Sequence, residues 1–95
     1  MDSYLLDDFK SHLTFERQLS ENTLAAYSSD VESFLEYCEA NEKDPLHIGP
    51  EFLDQYNVQL REIEKLAPAS VFRKVEAIKC FYKFLLVYLT VRGLL

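Results

Sequence analysis

The side chains best suited to chemistry are basic residues gathered in the last third of the chain. Residues 65–95 contain six Lys or Arg against Glu76 alone, net +5, whereas residues 1–64 contain four basic and fifteen acidic residues, net −11. Because Lys and Arg bind a nucleic-acid backbone by displacing its counterions, the overall charge of −6 argues against such a partner, but the last third favours one. The candidate cations are Arg73, Lys74, Lys79 and Lys83.

These four cations occupy or border the polar side of one predicted helix, opposite an apolar stripe. Such a helix can lie in or across the major groove of DNA, where Lys meets phosphates and Arg can reach a guanine edge. A solvated basic face explains the same residues equally well. Charge alone therefore leaves the two interpretations open.

A short hydroxyl pattern opens two predicted helices. It reads Leu-Ser-Glu-Asn-Thr at residues 19–23 and Leu-Ala-Pro-Ala-Ser at residues 66–70. Each copy places a hydroxyl in a first helical turn, where free amides and the helix dipole can bind a phosphate. Ordinary helix capping also explains the pattern, so it is a weak signal by itself.

The sequence lacks the usual combinations of catalytic and cofactor-binding residues. His12 and His47 lie in a helix and a loop without an acidic and hydroxyl pairing, and no Gly-rich phosphate loop, zinc spacing or calcium loop occurs. We expect no catalytic residue, cofactor, metal or small-molecule substrate. Cys38 and Cys80 are expected to be reduced core thiols. The absence of a long apolar run and of a leader-like amino terminus favours a cytoplasmic protein without a membrane partner.

The elements that position the cations are four predicted helices, over about residues 3–16, 20–40, 50–64 and 68–90. Ser20 is predicted to cap the second helix, and Pro50 and Pro68 to open the third and fourth. Residues 44–49 are predicted to form a loop. Ninety-five residues suit one all-α domain spanning 1–95. The predicted core positions are Leu5, Leu6, Phe9, Leu13, Leu24, Tyr27, Val31, Phe34, Leu35, Cys38, Phe52, Leu53, Tyr56, Leu60, Ile63, Val71, Phe72, Val75, Ile78, Phe81, Tyr82, Leu85, Leu86 and Leu89.

Two long blocks resemble a known family. They are ERQLSENTLAAYSSDV at residues 16–31, followed by Phe34-Leu35, and ASVFRKVEAIKCFYKFL at residues 69–85. They resemble the core-binding domain of phage integrases and Xer-type recombinases, which are site-specific tyrosine recombinases, and the resemblance covers essentially the whole chain. It implies a four-helix SAM-like bundle that forms one half of a C-shaped clamp around DNA, with the second and fourth helices facing the major groove beside the strand-exchange site.

The resemblance also implies which residues contact DNA. Arg73 is the strongest single candidate, whereas Tyr27 fits a core position equally well. Residues 25, 26, 28 and 29 are Ala or Ser where relatives often carry Arg or Lys, so we expect the isolated domain to bind weakly. Matched by position, the implied contacts are Asn22, Thr23, Tyr27, Ser70, Arg73, Lys74, Lys79 and Lys83.

The resemblance further implies that the catalytic Arg, Lys, His and Tyr belong to a separate carboxy-terminal domain, to which no part of these residues corresponds. The chain, which ends in two leucines soon after Gly93, is therefore expected to be a fragment that binds DNA without cutting it. The implied partners are double-stranded DNA, that catalytic domain, and other recombinase subunits in a tetramer on DNA.

The alternative functions are a helical protein-interaction or oligomerisation module, favoured by the acidic first 64 residues, and a complete small enzyme. The DNA interpretation requires the cations of the fourth helix to face outward beside the start of the second, as one electropositive surface.

Overall fold

The structure, a computed structural model, describes residues 3–15 and 18–93. It contains four α-helices: α1 (Ser3–Phe15), α2 (Glu21–Ala40), α3 (Pro50–Val58) and α4 (Pro68–Val91). A single 3-10 turn, Pro45–His47, lies inside the predicted loop, and a π-helical segment, Gln59–Ile63, directly follows α3. The described part of the chain contains no strand, so the all-α prediction is confirmed. None of the described helices is long and apolar enough to cross a membrane.

The helices begin where the sequence predicts. The Ser20 hydroxyl accepts a hydrogen bond from the backbone N–H of Thr23 at 3.2 Å, which satisfies one of the free amides at the start of α2. Pro50 and Pro68 occupy the first turns of α3 and α4, where a missing N–H breaks no intrahelical bond. These local signals therefore fix the starts of three helices.

A residue in the left-handed region lies two or three positions after several helical segments. Gln18, Glu42 and Lys65 have φ of 52°, 55° and 55°, a conformation that costs a non-glycine residue about 1 kcal/mol. After Glu42 the backbone N–H of Lys43 donates to the Cys38 carbonyl at 2.8 Å. The turn therefore supplies a hydrogen bond to a carbonyl near the end of the helix. At the end of α4 the left-handed residue is Gly93, with φ of 70°, as its sequence position predicts.

The π-helical segment changes which side of the chain faces the core. The backbone N–H of Glu64 donates to the Gln59 carbonyl at 2.9 Å, a spacing of five residues rather than four. Leu60 stays 1 % exposed, but Ile63 is 67 % exposed. The prediction of Ile63 as a core residue is therefore wrong, because the wider turn rotates it away from the stripe that Phe52 and Tyr56 begin. The same prediction for Leu53 is also wrong, since it is 37 % exposed and lines a groove beside α4.

The core is a cluster of aromatic rings supplied by all four helices. Phe9, Phe34 and Phe81 are fully buried. Phe9 and Phe81 meet edge to face with ring centroids 5.2 Å apart, and Phe34 meets Tyr56 in the same way at 5.2 Å. Edge-to-face geometry adds a favourable quadrupole interaction to the burial of apolar area. Phe81 of α4 therefore lies at the centre of the bundle.

The buried side of α4 differs in part from the predicted one. Phe72 and Leu86, predicted to be core residues, are 68 % and 61 % exposed, whereas Ala77 and Phe84 are buried. α4 carries apolar residues around most of its circumference, and contacts with α1 and α2 select which of them are covered; the ring of Phe84, for example, packs against Phe9.

The connection between α2 and α3 is held by α4. The Tyr82 hydroxyl donates to the Pro45 carbonyl at 2.7 Å, which gives the half-buried phenol a partner. Cys38 and Cys80 are buried, as predicted, and burial raises the pKa of the Cys38 thiol to about 11. That thiol therefore stays protonated at neutral pH.

Replacing Phe81 with Ala is expected to lower the free energy of unfolding by about 3–5 kcal/mol, because a cavity opens where its ring contacts with Phe9, Tyr82 and Phe84 are lost. Phe72→Ala is the matched control on the same helix, and its effect is expected to stay below about 1 kcal/mol since the ring is exposed. Urea denaturation followed by circular dichroism measures both. Equal losses would contradict the central position of Phe81.

Candidate nucleic-acid interface

The contacts between α2 and α4 show how the two helices are oriented. Asp30 of α2 binds Arg73 and Lys74 near the start of α4. Phe34, one turn further along α2, contacts Tyr82, which is also further along α4. The contacts advance in the same direction on both helices, so their first turns lie at the same end of the bundle. The resemblance names three residues in these first turns: Asn22, Thr23 and Ser70.

At α2 the hydroxyl pattern is a helix cap. Besides accepting from the Thr23 N–H, the Ser20 hydroxyl donates to Thr23 Oγ1 at 3.0 Å. At α4 the Ser70 N–H donates to the Ala67 carbonyl at 2.9 Å. Both amides are therefore engaged within the chain, but only the α2 copy is a helix cap, since no side chain caps the start of α4. Asn22 is exposed at the same end, and Thr23 and Ser70 are half-buried.

A buried carboxylate lies where α2 and α4 meet. Asp30 is 1 % exposed. It accepts hydrogen bonds from Arg73 Nε on Oδ2 and from Arg73 Nη2 on Oδ1, both at 2.8 Å, and from Lys74 Nζ on Oδ1 at 3.1 Å. A two-bond pair between Arg and a carboxylate is among the strongest polar contacts in proteins. The three side chains, Asp30, Arg73 and Lys74, form what we call the Asp30 cluster.

Contacts within the Asp30 cluster shift the pKa values of Asp30 and Arg73. Burial raises the pKa of Asp30, but hydrogen bonds and attraction from Arg73 and Lys74 outweigh it, so the pKa lies below the ordinary aspartate value. The hydrogen bond to Asp30, with its negative charge, raises the pKa of Arg73. Asp30 is therefore ionised at neutral pH, and the cluster carries one net positive charge.

The cluster corrects one prediction about the cations and qualifies another. Lys74 does not lie on the polar side of α4: its side chain is only 13 % exposed, because it reaches Asp30. Arg73 keeps 46 % of its side chain exposed, although two of its nitrogens are engaged. Asp30 was missed in the sequence analysis. Its spacing from Tyr27 and Phe34 puts an acid inside an apolar stripe, a signal that could have revealed it.

The remaining predicted cations lie on another side of α4. Lys79 is about 120° around the helix from Arg73, at roughly 100° per residue. Lys79 and Lys83 border a groove between α3 and α4. Lys79 approaches Glu76 at 3.3 Å with both side chains well exposed, an arrangement that contributes little stability. Among the described residues Lys83 has no ion-pair partner.

The single electropositive surface expected from the sequence is therefore divided into two groups. Arg73 and Lys74 face α2, whereas Lys79 and Lys83 face the groove beside α3. Tyr27 packs half-buried against the core, as its place in the apolar stripe predicts. Arg73 and Lys79 each have a carboxylate neighbour. The requirement of one outward electropositive surface is therefore not met, and the charge of α4 does not by itself support the DNA interpretation.

The fold and this arrangement define a small all-α bundle whose second and fourth helices are joined by a buried ion cluster. The family described as phage integrase, N-terminal SAM-like domain, matches residues 6–87. The chain belongs to this family, and the identification made from the two sequence blocks is confirmed.

Similar curated proteins are tyrosine recombinases. XerC of Leptospira interrogans is 35 % identical over 78 residues, covering 82 % of this chain and 25 % of the relative. XerC of Pediococcus pentosaceus is 37 % identical over 84 residues, 85 % of this chain and 27 % of the relative. XerD of Chlorobaculum tepidum is 35 % identical over 81 residues, which cover 85 % of this chain and 26 % of the relative. The chain spans about a quarter of the length of these relatives. No solved structure matches it significantly.

Asp30→Asn is expected to lower the free energy of unfolding at pH 7 by about 2–3 kcal/mol, less than for a fully buried pair because Arg73 can turn toward water. Since the folded pKa of Asp30 is depressed, its contribution is fully present above the unfolded value of about 3.9 and is lost as pH falls through the folded value. Urea denaturation between pH 7 and pH 2.5 should show the wild-type and Asn curves converging in acid. Exposed Glu32→Gln is the control, and parallel curves for wild type and Asp30→Asn would contradict this role.

Proposed function

We propose that this domain clasps duplex DNA near the strand-exchange site of a site-specific tyrosine recombinase or integrase, during DNA integration or recombination. The observation that carries the proposal is the family match over residues 6–87, together with 35–37 % identity to XerC and XerD recombinases. The shared end of α2 and α4 supports it, since both helices can then approach one stretch of duplex.

In this proposal the exposed cations contact the phosphate backbone. Arg73, Lys79 and Lys83 displace counterions from DNA, and polar groups at the shared helix ends, such as Asn22, set the orientation without reading sequence. Thr23, Tyr27, Ser70 and Lys74 contribute less, because each is partly buried. The acidic remainder of the domain repels phosphates and limits DNA to these surfaces. Weak binding by the isolated domain follows.

The proposal places catalysis elsewhere. Residues 1–95 form one non-catalytic domain, and the Arg, Lys, His and Tyr that cleave and rejoin DNA belong to a separate carboxy-terminal domain. That domain and other recombinase subunits, assembled as a tetramer on DNA in the cytoplasm, are the proposed protein partners. No cofactor is required of this domain.

The DNA proposal predicts weak binding to a short duplex that falls steeply with salt, measured by fluorescence anisotropy. Lys83→Ala should weaken binding by about 1 kcal/mol and reduce the slope of log affinity against log salt by about 1. Lys43→Ala, which removes an exposed Lys beyond the far end of α2, is the matched control and should change neither quantity. Binding that ignores salt, or equal effects of the two variants, would count against the proposal.

A second candidate, an oligomerisation module, is favoured by the groove between α3 and α4. The groove has a volume of about 590 Å³ and a mainly apolar lining, which includes the exposed side chains of Leu53 and Leu86. Phosphates do not fill an apolar groove, whereas an amphipathic helix does. The occupant that best fits Lys79 and Lys83 at its border is a second copy of this chain, whose first 64 residues carry net −11. Self-association and DNA binding are compatible.

This candidate predicts a monomer–dimer equilibrium in sedimentation experiments over a range of protein concentrations. Leu86→Asp should keep the chain monomeric, because a carboxylate would be desolvated in the groove. Val87→Asp, on an exposed neighbouring position outside the groove, is the matched control and should dimerise like wild type. A wild-type chain that stays monomeric at high concentration removes the case for this candidate.

A further inference from the structure

The geometry of the Asp30 cluster leaves one edge of the Arg73 guanidinium unused by Asp30. A guanidinium has five N–H donors in a rigid planar fork. Asp30 takes one from Nε and one from Nη2, which together form the side edge of the fork. The donors left by Asp30 are both on Nη1 and the second on Nη2. One N–H of Nη1 and the second N–H of Nη2 form the end edge, whose spacing matches a pair of acceptor atoms.

Asp30 is much more deeply buried than Arg73, its partner in the ion pair. Asp30 is 1 % exposed, while 46 % of the Arg73 side chain is exposed. The carboxylate is therefore held inside the bundle and the guanidinium lies at its boundary. Lys74, whose side chain is 13 % exposed, binds the same carboxylate from the protein side. Because two cations share one carboxylate, the cluster still attracts an anion.

Holding the guanidinium in advance favours binding. A free Arg side chain carries about 2 kcal/mol of rotamer entropy, and ordering it on contact with a ligand weakens the interaction by a large part of that amount. The two bonds to Asp30 fix the plane of the fork before a ligand arrives. Asp30 is itself held in place, because it is 1 % exposed and accepts three hydrogen bonds from α4.

We propose that Asp30 is a positioning residue for the DNA contact of Arg73. It holds the side edge of the guanidinium so that the end edge is presented to a pair of acceptors on DNA, either two phosphate oxygens or the O6 and N7 atoms of a guanine. The inference rests on the proposed DNA-clasping function and assigns a role in it to a negatively charged residue.

A positioning role and a simple charge effect predict opposite changes in DNA affinity when Asp30 is replaced by Asn. Asp30→Asn makes the chain one unit less negative, so attraction between charges alone predicts tighter DNA binding. Positioning predicts weaker binding, because Arg73 loses the partner that holds its plane. The expected loss is about fivefold in affinity, equivalent to about 1 kcal/mol.

The experiment titrates a labelled short duplex with the 95-residue chain by fluorescence anisotropy at fixed salt. Wild type is compared with Asp30→Asn, Arg73→Gln and the double variant. We expect each single variant to bind more weakly than wild type, and the double variant to bind no more weakly than Arg73→Gln. Glu32→Gln removes an exposed acid from the same helix; it is the charge-matched control and should bind as tightly as wild type or slightly more tightly.

A second duplex made only of A·T pairs separates the two acceptors. If Asp30→Asn weakens binding equally on both duplexes, the acceptors are phosphate oxygens; if the loss occurs only on the guanine-containing duplex, they belong to guanine. Either result supports the positioning role.

Affinity for Asp30→Asn equal to or tighter than wild type, when wild type binds in a salt-dependent way, overturns the inference and leaves the proposed function intact. Absence of salt-dependent binding by wild type overturns the proposed function itself. Circular dichroism at the assay temperature checks folding. If Asp30→Asn does not fold, Arg73→Lys replaces it, since Lys keeps the charge but lacks the fork. A loss of threefold or more supports a directed guanidinium, and wild-type affinity overturns it.

Discussion

A carboxylate removed from water must have its charge balanced inside the fold, and Asp30 imposes this requirement on the whole bundle. An unpaired buried carboxylate is strongly destabilising, and here the compensation comes from two consecutive residues, Arg73 and Lys74, early in α4. This constraint requires a rotation of α4 that brings Arg73 and Lys74 to Asp30. Because α4 also carries Phe81 into the centre of the core, the same rotation must satisfy its apolar contacts with α1 and α2.

The same constraint organises the candidate interface. The Asp30 cluster and the Phe34–Tyr82 contact lie in the same order along α2 and α4, so the first turns of both helices are at one end of the domain. The Asp30 cluster also divides the cations, since the rotation that turns Lys74 inward leaves Lys79 and Lys83 facing the groove beside α3. The domain therefore offers two distinct surfaces, one with a directed guanidinium and one with flexible lysines around an apolar groove.

Local patterns in the sequence were sufficient to predict the elements but not their rotation. Caps and prolines such as Ser20, Pro50 and Pro68 act within one turn, so the helices begin where predicted. The exposed Phe72 and Leu86 were misassigned because an apolar residue count cannot show which arc of a broadly apolar helix is covered. Ile63 was misassigned because nothing in the periodicity marks a π-helical segment. Each of these errors depends on tertiary contacts or backbone geometry.

The site was predicted less well than the fold, for a related reason. Charge counting treats every Lys and Arg as available, yet Lys74 neutralises a buried acid and Arg73 shares it. A bond from α2 to α4 joins residues more than forty positions apart, and a single sequence gives no measure of such pairing. The family resemblance named Arg73 without explaining how it is held.

Asp30 reduces the charge available for DNA and at the same time orders the group that remains. In this proposal the ordering outweighs the lost charge, because the rotamer entropy that Arg73 no longer loses on contact strengthens binding by more than one further unit of long-range attraction would. In the proposed clamp, the separate catalytic domain binds the same duplex and raises the effective concentration of this domain there, so most of the affinity does not have to come from these 95 residues. In that case this domain mainly fixes where α2 and α4 sit along the duplex. The ion cluster between the two helices can keep them in that position, because it holds them rigidly against each other.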